Sequence, residues 1–198
     1  MMNKYFLIIV LALATYVAKG QDQTLILVNY SPAISLGETA DFTNNFSPRG
    51  VDFEVNRFIK EDLSVGFVIG WNVFREKISG ETFEYNDLTI TGTQFRYTNV
   101  TPLNVNVKKY FSIAEDSGIS PYAGFGLGTN YAKQTNEIGV FSLTQDKWQF
   151  NMAPEIGMLY DISRNNVLSL KVKYIYSPKA GDFPSTSYLS FGIGIGLN

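Results

Sequence analysis

Along most of the chain, apolar and polar residues alternate with a period of two, which is the pattern of strands with two unlike faces. Val51, Phe53 and Val55 alternate with Asp52, Glu54 and Asn56. Leu63, Val65, Phe67, Ile69, Trp71 and Val73 alternate with small or polar residues, interrupted by Val68 and Phe74. The same reading predicts strands near 24–34, 50–58, 63–75, 95–110, 120–132, 147–160, 166–177 and 186–197. The first, TLILVNYSPAI, alternates poorly and leaves its register open; Pro102 removes a ladder donor from the fourth.

Two of these strands carry glycine at alternate positions. In PYAGFGLGTNY, Gly124, Gly126 and Gly128 oppose Ala123, Phe125 and Leu127; in SYLSFGIGIGLN, Gly192, Gly194 and Gly196 oppose Phe191, Ile193 and Ile195. Glycine weakens a strand unless something must come close to the backbone, so these positions are expected to line a cramped interior. Short connections near 59–62 and 161–165 carry turn residues, and a somewhat longer one spans 112–119. Longer polar segments cover about 35–49, 76–93, 133–146 and 178–185. Segment 76–93 also has strand-forming residues and is read as a possible hairpin extension. Short turns at one rim and long loops at the other fit an eight-stranded, antiparallel, up-and-down transmembrane β-barrel.

Composition sharpens this picture. Charged residues are 17% of the 198 and aromatics 15%, against roughly 25% charged in ordinary soluble domains. Residues 1–20 read as a secretory signal peptide, with Lys4, an apolar run and Ala18-Lys19-Gly20 before a mature barrel domain over 21–198. No later run is long enough for a membrane helix, so strands are the remaining way to cross. Without Lys4 and Lys19 the chain has 14 basic and 18 acidic residues, a net charge of about −4, which argues against nucleic acid as a partner.

Alternation alone also fits a soluble, lipocalin-like carrier with its apolar face inward. The membrane reading rests on the small, weakly charged opposite face and on the placement of aromatics. Trp71, Tyr97, Tyr131, Trp148 and Tyr176 fall on the apolar parity near the long-loop ends, as an interfacial girdle would; Phe111 and Tyr160 are candidates for the opposite girdle.

With those strands in view, the chain resembles the small outer-membrane β-barrel domain proteins of the OmpA-transmembrane, OmpX and OmpW type. The resemblance covers residues 21–198 and is carried by the architecture, by YAGFGLG and by FGIGIGL. It implies the Gram-negative outer membrane, contact with lipid and lipopolysaccharide, and assembly by the outer-membrane barrel machinery. The chain departs from the family's frequent aromatic last residue, ending Leu197-Asn198.

The chemistry available is limited. There is no histidine and no cysteine, so the usual general base, the thiolate nucleophile and the favoured zinc ligands are missing. No enzymatic activity, catalytic residue, metal or cofactor is expected. On inward parity, Asp52, Glu54 and Glu155 are expected to pair with Arg96, Lys108, Lys171 and Lys173 as a charge network that fills the lumen. Glu76, Glu81, Glu84 and Asp87 lack the spacing of a calcium loop and read as a solvated acidic loop. A non-enzymatic structural or surface-interaction protein is the first expectation, with loops open to an extracellular ligand. The alternatives are a narrow channel or binding pocket for small apolar solutes and the lipocalin-like carrier.

Overall fold

The computed structural model describes residues 23–85, 88–111, 118–139 and 141–197, with the backbone alone over 81–91. The expected signal peptide lies outside the described residues, as does most of the 112–119 connection. Among the described residues ten strands run in chain order: β1 (Thr24–Tyr30), β2 (Ala33–Leu36), β3 (Phe46–Ser47), β4 (Gly50–Lys60), β5 (Leu63–Tyr85), β6 (Leu88–Tyr110), β7 (Ile119–Ile138), β8 (Phe141–Ser163), β9 (Asn166–Ser177) and β10 (Thr186–Leu197). A short helix, α1 (Gly37–Phe42), lies between β2 and β3.

Eight strands close a ring in the order β1-β4-β5-β6-β7-β8-β9-β10, and β10 returns to β1, all antiparallel. The closing seam is short: five pairs join Ile26–Tyr30 to Leu197–Ile193. Ser31 and Pro32 then break the first strand, and β2 resumes along β10 from Ala33↔Ser190 to Leu36↔Ser187. The seventeen-pair β6–β7 ladder continues through Pro102, opposite Asn130. On the β5 side, pairing lapses between Ile69↔Leu103 and Asn72↔Val100, so the proline sits where the ladder skips. Gly70 faces it; a Cβ there would stand 3.1 Å from the Pro102 ring.

The ring answers the question of sidedness. Ile195 is 60% exposed and Ile156 65%, while their neighbours Gly196 and Glu155 are buried. Apolar residues therefore coat the outside and polar residues the inside, the reverse of a lipocalin-like carrier. Strand lengths vary in an informative way. β4, β9 and β10 have 11 or 12 residues, about what a tilted membrane strand needs. β5, β6 and β8 have 23 and β7 has 20, so two hairpins extend well beyond the apolar band. The extension expected over 76–93 is one of them; the other continues through 133–146, which the sequence presents as a polar loop.

The interior is layered. Along β9 from turn to loop, the inward residues are Val167, Ser169, Lys171, Lys173 and Ile175; along β6 they are Tyr110, Lys108, Asn106, Asn104, Pro102 and Val100. At the turn end, Leu25, Leu27, Tyr110, Tyr122, Leu159 and Val167 form one apolar cluster with Phe58 packed against it. Towards the loops, Phe74, Val100, Ile175, Phe183 and Tyr188 form another with three alanines. Charged and amide side chains lie between. This explains the poor alternation of the first strand: Leu25 and Leu27 point inward, so both faces of β1 are apolar.

Candidate functional site

The middle layer is built by residues directly opposite one another. Lys108 on β6 faces Gly124 on β7, which faces Glu155 on β8, which faces Lys173 on β9. With no side chain at Gly124, the two long side chains meet over it: Lys108 Nζ lies 2.6 Å from Glu155 Oε1. That approach is ionic rather than an aligned hydrogen bond, because Glu155 Oε1 has no hydrogen-bond partner. Lys171, which stands between Gly157 and Gly192 in the ladders, fills the space over Gly192, where a Cβ would strike its stem at 2.6 Å, while the Tyr122 ring fills the space over Gly157.

Glu54 is the hub. Its carboxylate takes Lys108 Nζ at 2.5 Å, Lys171 Nζ, and Lys173 Nζ at 3.4 Å. Asp52 pairs with Lys171 at 2.6 Å and also accepts Asn29 Nδ2 at 2.8 Å and Ser31 Oγ at 2.5 Å. Glu155 reaches Lys173 at 3.4 Å. Three carboxylates thus meet three ammoniums, all of them buried, and burial is tolerable only with such pairing. Lys108 also lies 4.7 Å from the centre of the Tyr122 ring, which ties the charged layer to the aromatic layer below it.

Arg96, expected in this network, does not join it. It lies twelve residues along β6 from Lys108, about 40 Å in an extended strand, opposite Glu76 and Asn136 in the hairpin extension. Parity placed it inward, but parity carries no information about height. Without Arg96 the network balances, three against three.

The remaining glycines differ in how tightly they are enclosed. A Cβ on Gly128 would meet the Leu103 carbonyl, and one on Gly194 the Val28 carbonyl; these are backbone atoms that cannot turn aside. At Gly196 it would strike the Leu27 and Val167 side chains, and at Gly126 it would find ordinary contact at 3.4 Å.

Of the expected girdle residues, Trp71, Tyr97, Tyr131, Trp148, Tyr160 and Tyr176 lie on outward parity, and Phe111 lies exposed just past β6. Tyr131 packs on Trp148 with ring centres 5.2 Å apart and donates to Asp146 at 3.1 Å. Tyr97 is in the hairpin extension, where Arg75 lies 5.7 Å from its ring and 5.2 Å from that of Phe95; Lys77 also approaches Phe95, at 5.9 Å.

Sequence reasoning missed the device at the mouth. Helix α1 touches β10 and β6, which stand on opposite sides of the ring, and so crosses the opening. At the β10 end, Glu38 accepts Ser185 N–H at 2.7 Å and Ser185 Oγ at 2.6 Å, and pairs with Lys179 at 2.7 Å. Thr39 Oγ1 accepts Ser187 N–H at 2.8 Å. At the β6 end, the Thr43 hydroxyl meets that of Thr98 at 3.0 Å, and Arg96 lies 5.5 Å over the Phe42 ring. The Lys179 and Ser185 bonds hold the Glu38 carboxyl down at about 2. Six residues without an apolar stripe gave no periodic signal for this helix.

Comparison with known proteins adds to this geometry. The model of the OmpW family matches residues 9–183. Among solved structures, the barrel is similar to Neisserial surface protein A, with TM-score 0.58, 11% identity, and coverage of 88% of this chain and 96% of that one. It is similar to OprG of Pseudomonas aeruginosa at TM-score 0.57, 14% identity and coverage of 88% and 94%. It is also similar to the attachment invasion locus protein Ail of Yersinia pestis at TM-score 0.53, 14% identity and coverage of 88% and 96%. At such identities the likeness is one of fold. No curated protein matches in sequence.

Proposed function

Because this chain belongs to the OmpW family and is an eight-stranded barrel of the outer membrane, we propose that it acts without catalysis, as a structural and surface-interaction protein with a closed bore. The observation that carries this reading is the order of the interior layers. On the way to the centre from either end, a hydrated ion crosses an apolar layer before it reaches the paired charges. Shedding water at the apolar layers is costly, and the charges beyond are already engaged with one another. A chain without histidine also lacks the usual base for hydrolytic chemistry.

Outside the barrel, the basic residues Arg75 and Lys77 against Phe95 and Tyr97 suit the phosphorylated headgroups of lipopolysaccharide. The assembly machinery of the outer membrane completes the set of partners, reached by export through a cleaved leader over 1–20. Recording in planar bilayers tests the closed bore. Reconstituted protein is expected to show no steady conductance step, and sustained current through single insertions would refute the proposal.

A further inference from the structure

Above the upper apolar layer, a cleft of about 420 Å³ opens between α1 and the inner face of β6, β7 and β8. Small-molecule sites run from roughly 300 to 1,000 Å³. Phe42 from the helix and Leu143 from β8 supply apolar walls, while Arg96, Gln134, Asn136 and Gln145 supply polar groups.

Arg96 differs from the three lumen lysines, each of which is matched by carboxylates. Its guanidinium lies over Phe42 and donates to Gln94 Oε1 at 3.3 Å, and its Nε has no acceptor among the described residues. The carboxylate opposite it in the ladder, Glu76, is turned to the Asn44 N–H at 2.9 Å, and among the described residues no ion pair joins the two. Asn136 is only 9% exposed and its Oδ1 has no partner among the described residues. Gln134 accepts from Gln145 at 2.9 Å, which leaves its own amide protons available. The cleft therefore combines a planar cation, amide donors and a carbonyl acceptor, with apolar walls beside them. A guanidinium fork matches a carboxylate, whereas a phenyl or short alkyl group fits Phe42 and Leu143.

We propose that this cleft binds a small organic carboxylate with an aromatic or short aliphatic body, the carboxylate on Arg96 and the body against Phe42 and Leu143. This goes beyond the structural role above and does not depend on whether the bore conducts. The site lies on the loop side of the membrane, so the ligand would arrive from outside the cell.

The test is an amide chemical-shift titration of the refolded full chain in detergent, with sodium benzoate and the neutral benzamide as probes. Benzoate should give saturable shifts around residues 42, 96 and 134–145, with benzamide at least about tenfold weaker, as expected when a charge-assisted bond is lost. R96Q should weaken benzoate by at least about tenfold and leave benzamide unchanged. Equal binding of the two probes, shifts confined to other regions, or unchanged benzoate affinity in folded R96Q would overturn the assignment. If R96Q does not regain the heat-modifiable folded form, F42A decides: a severalfold loss of benzoate supports the cleft, and retention refutes it.

Discussion

Lys108, Gly124 and Glu155 stand opposite one another on three successive strands, and the missing side chain at Gly124 lets an ammonium and a carboxylate meet across the gap. The residues are thus matched across strands rather than along one, with glycine making space for neighbours two strands apart. The inward carboxylates, lysines and glycines can be identified from parity, because the period of two is fixed by the pleat. Their partners cannot, since pairing depends on register and height; Arg96 shows this by sharing the network's parity while standing far above it. Within the network, Glu54 engages three lysines and Glu155 two. Glu54→Gln is therefore expected to lower stability by roughly 3–5 kcal/mol, the cost of leaving buried charge unpaired. Glu155→Gln should cost less. Denaturant titration of folded protein in detergent checks the order, and equal losses would show that the hub is not at Glu54.

Among the elements, α1 is held most strongly at the end that titrates. The Glu38 carboxyl ordinarily titrates near 4.5 and here at about 2, chiefly because Lys179 and Ser185 bond its charged form. A carboxyl lowered in this way stabilises the helix's attachment fully above about 4.5, and the contribution disappears as pH falls toward 2. A nitroxide on Asp41 should accordingly gain mobility across that window while the barrel ladder persists. Glu38→Gln should show the mobile spectrum already at pH 7. A spectrum unchanged down to pH 2 would place the hold elsewhere, at Thr39 and Thr43. Neither α1 nor the second extended hairpin is legible in the chain, for the same physical reason. Beyond the apolar band β7 carries polar residues on both faces, Gln134 and Asn136 buried inside and Lys133, Thr135 and Glu137 outside, so 133–146 offers no clear alternation to read. The hairpin over 76–93 is legible because Leu88, Ile90 and the threonines favour strand.

At the scale of the molecule, the eight membrane strands and the direction of their faces follow from the sequence, since FGIGIGL and YAGFGLG leave little choice of which side meets lipid. The two internal apolar layers do not, because a sequence reading treats an apolar residue on polar parity as an interruption. Val68 and Phe74 are such interruptions, and both are buried inside the ring; Phe74 belongs to the upper apolar layer, whereas Val68 stands opposite Glu54 and Asn104. The seam between β1 and β10 has only five pairs, formed by the most distant parts of the chain. Gly194 lies in it, against the Val28 carbonyl. Gly194→Ala should therefore impede closure, costing about 1–3 kcal/mol, whereas Gly126→Ala, with ordinary contact distances, should be tolerated. The heat-modifiable folded fraction after refolding measures this, and equal yields from the two variants would refute it. Local hairpins form before distant ends meet, so a slow seam implies an interval in which β10 waits with a bare hydrogen-bonding edge. Such an edge accepts any extended segment of suitable length. A sibling chain caught at that moment would be stitched in where β1 belongs, so crowding during biogenesis, more than any weakness of the finished barrel, becomes the hazard this architecture must manage.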